Sequence, residues 1–189
     1  MPGPTPPVIF GEVLYDIFED DTHVLGGAPF NVAWHLQGFG LAPRFVSRVG
    51  EDGDGARVLE TMARWGMAAD CVQRDPRHPT GQVQVRSEGG SVDYTIVPHQ
   101  AYDAIAADEA AACLGDVAPA LLYHGSLATR EQASREALDR VAEATAAPVF
   151  LDVNLRDPWW TRERLEGLMG RARWLKLNDD EIHQLTGAP

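Results

Sequence analysis

The sequence predicts an α/β protein with a Rossmann-like, mostly parallel sheet covered by helices, together with a small β-hairpin. Short apolar segments alternate with helical patterns along most of the chain, which is typical of βα units. One pair of segments in the middle instead alternates polar and apolar residues, which is typical of a hairpin with one wet face. With 189 residues, 44% of them hydrophobic and 23% charged, the chain has the composition of a globular domain.

The first half of the chain contains two predicted βα units. The first strand runs from Val8 to Phe18 with a bend at Gly11. The first helix runs from Pro29 to Phe39, because a proline is tolerated in the first turn of a helix. A second strand over 44–49 and a second helix over 56–65 follow, and Gly66 is expected to end that helix.

The second half begins with the hairpin and then returns to the βα rhythm. Its two strands, over 82–86 and 92–96, flank a turn at Glu88-Gly89-Gly90-Ser91. The remaining predicted elements are strands over 120–124, 148–153 and 174–177 and helices over 130–144, over 162–171 and from 179 onward. The chain stops directly after that last helix, whereas an α/β sheet normally continues to a covered edge. The sequence is therefore expected to hold an incomplete domain.

Charge and composition argue against several classes of function. Sixteen basic and 28 acidic residues give a net charge of −12, which repels nucleic acid and anionic membrane surfaces. The amino terminus resembles no secretory leader, and no apolar run is long enough to span a bilayer, so a cytoplasmic protein is expected. Cys71 and Cys113 are far apart and in no paired motif, which predicts two free thiols in a reducing compartment.

Four polar clusters follow predicted strands, at the sheet edge where open α/β folds bind their ligands. The first consists of Asp16 and the segment Gly26-Gly27-Ala28-Pro29-Phe30-Asn31. Paired glycines allow a ligand to approach the backbone, while a carboxylate and a carboxamide suit sugar hydroxyl groups. The alternative is a simple turn that leads into a helix.

The second and third clusters offer sites for an anion. Residues 47–55 form a glycine-rich connection at the start of a helix, where either an anion docks or Asp52 or Asp54 caps the helix. Asp152-Val153-Asn154-Leu155-Arg156 leaves the end of a buried strand. Arg156 is suited to bidentate recognition of a phosphate, and a structural salt bridge is the alternative.

The fourth cluster, Asn178-Asp179-Asp180-Glu181, lies at a strand-to-helix junction. Its spacing fits a helix capping box, and its chemistry fits the ordering of water around Mg²⁺ beside a triphosphate. Lys176 is the single lysine of the sequence and lies in no Walker A loop, so phosphate binding of that kind is excluded.

The order of these motifs resembles the ribokinase-like (PfkB) carbohydrate kinase family, especially its fructokinase-like members. The resemblance implies an ATP-dependent and Mg²⁺-dependent phosphorylation of a small-molecule sugar. It assigns sugar or phosphate binding to Asp16, Gly26, Gly27, Asn31, Asn154 and Arg156. It assigns ATP binding to Asn178 and Glu181, with Glu181 acting on Mg²⁺ through water. Segments around 12–25 and 80–98 would form a lid that closes over the sugar or pairs with a second copy of the chain.

The sequence departs from the family in two places. Val153 stands where fructokinase-like members often have a proline. The Gly-Ala-Gly-Asp motif, which supplies the family's catalytic base and anion hole, does not occur in these residues. The chain alone is therefore expected to be inactive, because positioning and electrostatic stabilisation account for most of the catalysis of phosphoryl transfer. The alternative is a non-catalytic sugar-binding or interaction protein with the same fold.

Overall fold

The structure, a computed structural model, describes residues 5–88 and 91–187, without the side chains of Glu88, Ser91 and Val92. Its strands are β1 Val8–Phe10, β2 Leu14–Phe18, β3 His23–Gly26, β4 Arg44–Gly50, β5 Val72–Asp75, β6 Gly81–Glu88, β7 Ser91–Ile96, β8 Leu122–Gly125, β9 Val149–Asp152 and β10 Trp174–Lys176. Its helices are α1 Ala28–Gly38, α2 Gly53–Trp65, α3 Ala107–Ala112, α4 Gln132–Thr145, α5 Arg162–Arg171 and α6 Asp179–Thr186, with single 3-10 turns at Ala101–Ala104 and Leu127–Thr129.

The predicted parallel sheet is confirmed. It has six strands in the order β10-β9-β8-β1-β4-β5, and every neighbouring pair is parallel. The strand β1 lies at its centre, and Val8, Ile9 and Phe10 are all fully buried. Helices cover both faces of such a sheet, so its central strands consist of apolar residues without alternation.

A second sheet of four strands stands beside the first, and we call it the lid sheet. Its order is β3-β2-β6-β7, with β2 and β6 parallel and the other pairs antiparallel. The predicted hairpin forms β6 and β7 of this sheet, whereas β2 and β3 were not predicted as separate strands. The predicted turn at Gly89-Gly90 lies outside the described residues.

The prediction of one long first strand is wrong. The chain leaves the main sheet after Phe10 and enters the lid sheet at Leu14. The break falls at Gly11, whose φ of +149° suits glycine and whose Cβ would lie 2.4 Å from Cγ of Pro29. The apolar pattern continues across the break because Val13 and Leu14 are buried as well.

The expected helices are present, and their ends follow local signals. Asp52 caps α2 by accepting a hydrogen bond from the N–H of Gly55, and Gly66 ends it in a left-handed conformation. Thr161 caps α5 in the same way. Across residues 5–88 and 91–187, none of the helices combines the length and apolar character needed to cross a bilayer.

The prediction of two free thiols is also wrong. Cys71 and Cys113 are joined by a disulfide, with 5.3 Å between their Cα atoms. Arg44 helps to bring them together, since Nη2 donates to the carbonyl oxygen of Cys113 over 2.7 Å. The two residues are 42 positions apart, so only the tertiary fold makes them neighbours. The cysteines therefore give no support for a reducing compartment.

Candidate functional site

A cavity of about 650 Å³ lies between the carboxyl-end loops of the main sheet and the lid sheet, and we call it the strand-end cavity. The main sheet contributes the loops that follow β1, β8 and β9, and all four strands of the lid sheet contribute side chains. The residues predicted to bind sugar all line it: Asp16, Gly26, Gly27, Asn31, Asn154 and Arg156. The fold thus brings together residues from three distant stretches of the sequence.

Asp16 lies on β2, half-buried and opposite Val24 of β3. Burial raises the pKa of its carboxyl group, and the positive charge of Arg156 opposes that shift. Gly26, the last residue of the neighbouring strand β3, is close to this carboxylate: a Cβ added to Gly26 would lie 3.6 Å from Oδ2 of Asp16. Asp16 is therefore an incompletely solvated acceptor at the edge of the cavity, which suits a hydroxyl group of a ligand.

Gly27 and Asn31 belong to the start of α1. Gly27 has a φ of +106°, and a Cβ there would lie 2.6 Å from the carbonyl oxygen of Glu12. This position therefore excludes any other residue. The N–H of Asn31 donates to the carbonyl oxygen of Gly27 over 2.9 Å, as in a regular helix, and its side chain is exposed. The carboxamide of Asn31 is thus presented by a rigid turn.

Asn154 and Arg156 lie on the loop after β9. Asn154 has a φ of +39°, a left-handed conformation that asparagine tolerates better than most residues. Glu181 holds the loop, because its Oε1 accepts from the N–H of Leu155 over 2.8 Å. Arg156 is exposed and forms no ion pair with any residue that the structure describes. The alternative of a structural salt bridge therefore finds no support.

Glu12 lines the same cavity, and the sequence analysis missed it. It is only 2% exposed, and its Oε2 has no hydrogen-bond partner within the described residues. Burial raises the pKa of this carboxyl group to about 7, against the opposing effects of backbone N–H groups, Arg156 and Arg130. The signal was a glutamate inside an apolar run, between Gly11 and Val13, which was interpreted as part of a bent strand.

The second predicted cluster forms a structural network. Oδ1 of Asp52 accepts from Gly55 N and from Thr80 Oγ1, and Oδ2 accepts from Thr80 N. Burial acts to raise the pKa of Asp52, but these hydrogen bonds outweigh it and lower the pKa. A Cβ on Gly50 would lie 2.7 Å from the nitrogen of Thr80. The cluster therefore fastens α2 to the segment before β6, as the capping alternative predicts.

The fourth cluster forms the capping box that its spacing predicts. Oδ1 of Asn178 accepts from Glu181 N over 2.8 Å, and Oε2 of Glu181 accepts from Asn178 N over 2.9 Å. Both carboxylate oxygens of Glu181 are thus engaged, and the residue is 5% exposed. In this arrangement Glu181 is not suited to bind Mg²⁺ directly, because both of its carboxylate oxygens accept backbone hydrogen bonds. The described part of the chain contains no group of three or more His, Cys, Asp or Glu side chains that would hold a metal ion.

A parallel sheet whose strand ends and neighbouring lid sheet enclose a polar cavity belongs to the class of open α/β folds, in which small molecules bind beyond the carboxyl ends of the strands. The sequence comparison identifies the particular family. The model of the pfkB family carbohydrate kinases matches residues 12–189, so the chain belongs to that family.

Individual relatives agree with this assignment. The chain is 27% identical to the fructokinase of Escherichia coli over an alignment 194 residues long, gaps included, and this alignment covers 95% of this chain and 62% of that protein. Four curated relatives, including this one, share 25% to 27% identity with the chain. The chain spans between 50% and 62% of their lengths.

Solved structures share the fold. The fructokinase of Xylella fastidiosa with bound ATP superimposes with a TM-score of 0.83 at 22% identity, covering 97% of this chain and 61% of that one. A fructokinase double mutant of Vibrio cholerae, bound to fructose, ADP and potassium ion, gives a TM-score of 0.81 at 21% identity. That alignment covers 100% of this chain and 65% of that one.

Proposed function

We propose that this chain forms the sugar-binding part of an ATP-dependent carbohydrate kinase with fructokinase-like specificity. One observation carries the proposal: the six residues assigned to sugar binding line a single cavity at the strand ends. Fructose is the sugar bound to the Vibrio cholerae relative, and fructokinases are among the sequence relatives. The chemistry of the cavity supports a polyhydroxylated ligand, because its lining includes both acceptors, the carboxylates of Glu12 and Asp16, and donors, the carboxamides of Asn31 and Asn154 and the guanidinium group of Arg156.

The polar groups of the cavity have two roles in this proposal, one in binding sugar hydroxyl groups and one in contacting the phosphate. Asp16 supplies an acceptor for hydroxyl groups, while Asn154 and Arg156 face the sugar or the phosphate that is transferred. Arg156 has no ion pair within the described residues, so its guanidinium group is available for phosphate oxygens. On that side of the cavity, the oxygen of the sugar's primary hydroxyl group would attack the γ-phosphorus of ATP as the bond to the β,γ-bridging oxygen breaks, so that ADP leaves and the hydroxyl proton passes to a base.

ATP and Mg²⁺ belong to the same proposal. ATP is bound in the Xylella fastidiosa relative. Asn178 and Glu181 would act on the phosphates and on Mg²⁺ through water, since each engaged carboxylate oxygen keeps a second lone pair. A Mg²⁺ ion neutralises the charge that develops on phosphate oxygens during the transfer. The use of ATP also favours a cytoplasmic protein.

Two further parts of the proposal concern the chain as a whole. Its 189 residues contain no Gly-Ala-Gly-Asp motif, so we expect them to bind sugar without transferring phosphate. The lid sheet would close over the sugar and pair with a second copy of the chain. The described strands β3 and β7 lie at its two edges, and Phe18 and Val24 on this sheet are 39% and 47% exposed.

The test is sugar binding by the 189-residue chain, measured by calorimetry with D-fructose and a panel of other sugars. We expect D-fructose to bind, and Asp16→Ala to weaken binding roughly 10-fold to 100-fold, which corresponds to one hydrogen bond to a charged group. Glu19→Ala is the matched control, an exposed acidic residue just beyond β2. Equal binding by Asp16→Ala and the wild type would refute the site.

Phosphate transfer is measured on the same preparation. A sample of verified mass, mixed with ATP, Mg²⁺ and D-fructose, is expected to form no sugar phosphate. Turnover by this preparation would show that the chain carries its own base and anion hole. The proposal that these residues bind sugar without transferring phosphate would then be wrong.

A further inference from the structure

We propose that Glu12 is a further binding residue of the sugar site, whose carboxylate oxygen Oε2 accepts a hydrogen bond from the bound sugar or from a water that bridges to it. Glu12 lies where the connection from β1 to β2, which leads to Asp16, meets the start of α1, which carries Gly27 and Asn31. The inference rests on the proposed function, because it assigns a residue to the same sugar site.

The geometry places Glu12 between the two halves of that site. It lies on the connection between the main sheet and the lid sheet and lines the strand-end cavity. Its carbonyl oxygen is the atom that a Cβ on Gly27 would meet at 2.6 Å. Burial is the largest influence on the pKa of its carboxyl group and raises it, while its own backbone N–H, Arg156, Arg130 and the N–H of Ala28 oppose that shift to a smaller extent.

The free oxygen of Glu12 distinguishes it from a purely structural glutamate. Oε2 is buried and has no partner among the described residues, whereas both oxygens of Glu181 accept backbone hydrogen bonds. An unsatisfied buried acceptor destabilises the folded state, because it has lost its hydrogen bonds to water without gaining others. Such groups are rare in folded proteins and require an explanation. When sugar fills the cavity, Oε2 accepts its hydrogen bond from a hydroxyl group or a bridging water.

The neighbours of Glu12 make its ionisation observable. The charged and titratable groups that act on it are Arg156 after β9, Arg130 before α4, Tyr102 of the 3-10 turn and Tyr123 of β8. Burial raises the pKa of both tyrosines, and arginines stay charged. Glu12 is the member of this group whose pKa, about 7, allows it to change charge near neutral pH. The ionised Oε2 is a stronger hydrogen-bond acceptor for a sugar hydroxyl group or a bridging water than the protonated carboxyl group, so sugar should bind more tightly above pH 7 than below it.

The experiment measures D-fructose affinity between pH 6 and pH 8 for the wild type, Glu12→Gln and Glu12→Leu. We expect the wild type to bind at least threefold more tightly at pH 8 than at pH 6. Glu12→Gln keeps an acceptor but cannot ionise, so it should bind like the wild type at pH 6 and show no change with pH. Glu12→Leu lacks the acceptor and should bind at least 10-fold more weakly, with an unchanged far-ultraviolet circular dichroism spectrum.

A second measurement needs no sugar. The unfolding free energy of the wild type should fall as pH rises from about 4.5 to 7, because a group whose pKa is raised by folding favours the folded state only while protonated. Glu12→Gln should lack the part of this decrease that Glu12 causes and keep only the smaller part that Asp16 contributes. An equal decrease in Glu12→Gln would overturn the inference even if Glu12→Leu does not fold.

The outcomes separate this inference from the proposed function. A wild-type chain that binds no sugar would overturn the proposed function and this inference together. A wild-type chain that binds D-fructose while Glu12→Gln keeps the full pH dependence would overturn the inference alone, because the titrating group would then lie elsewhere, at Asp16 for example. Unweakened binding by a folded Glu12→Leu would overturn it as well.

Discussion

The strand-end cavity and the start of α6 contain the same kinds of polar residue, but the structure uses them differently. At the start of α6, Asn178 and Glu181 satisfy each other and the loop after β9 through three hydrogen bonds of 2.8–2.9 Å. In the cavity, Asp16 and Arg156 form no ion pair with the residues that the structure describes. Burial also raises the pKa of Asp16 despite the nearby guanidinium group.

The difference is between polar groups that have hydrogen-bond partners within the protein and polar groups that have none among the described residues; under the proposed function, the sugar supplies the partners of the second kind. A buried polar group with internal partners stabilises the fold, whereas one without them costs free energy until a ligand supplies the missing hydrogen bonds. Glu181 belongs to the first kind and holds the loop that carries Asn154 and Arg156. Asp16 belongs to the second kind. Substitution of a residue of the first kind should lower the unfolding free energy. Substitution of a residue of the second kind should weaken sugar binding without lowering the unfolding free energy.

The largest effect on stability is expected from the disulfide, which lies in the scaffold and outside the residues that line the cavity. Reduction of Cys71–Cys113 should lower the unfolding free energy by roughly 2–4 kcal/mol, since the cross-link restricts the unfolded chain. Urea titration with and without reductant measures this change. The affinity for D-fructose should change less than twofold.

The control for this experiment is the double variant Cys71→Ala/Cys113→Ala, whose stability should not respond to reductant. Two free thiols found by titration of the unreduced wild type would contradict the structure and restore the expectation drawn from the sequence.

Glu181→Ala should have the next largest effect. It removes the acceptor of the N–H groups of Leu155 and Asn178, so the unfolding free energy should fall by about 2 kcal/mol. Asp180→Ala, an exposed neighbour in the same first turn, should cost less than about 1 kcal/mol because only its interaction with the helix dipole is lost. Equal effects of the two variants in urea titrations would show that the capping box does not stabilise the fold.

Much of the fold could be predicted from the sequence because its signals are local. Alternating βα patterns predicted the parallel sheet, and the helix predicted over 162–171 matches α5 at both ends. The strands β3 and β5 and the short helix α3 were missed. Strand β3 contains His23 and ends at Gly26, and it gains its structure from pairing with β2 rather than from its own pattern.

The sequence predicted which residues lie at the candidate site, but not how deeply they are buried or which partners they have. Strand ends in a parallel sheet meet at one edge, which predicted that Asp16, Asn31, Asn154 and Arg156 would be neighbours. Burial and pairing depend on the whole fold, so the sequence revealed neither the buried Glu12 nor the disulfide between Cys71 and Cys113. The same limitation left Asn178 and Glu181 with two interpretations, a helix cap and a phosphate site.

The smallest expected change in stability, and the sharpest test of the comparison, is Asp16→Asn. Folding raises the pKa of Asp16, so its contribution to stability is present at low pH and is lost as the carboxyl group ionises. Removal of that charge should raise the unfolding free energy at pH 7 by at most about 1 kcal/mol, because solvent screens a half-exposed group. D-fructose affinity should fall about tenfold in the same variant. Glu19→Gln, an exposed control, should alter neither quantity, and a loss of both stability and binding in Asp16→Asn would place Asp16 in the scaffold instead.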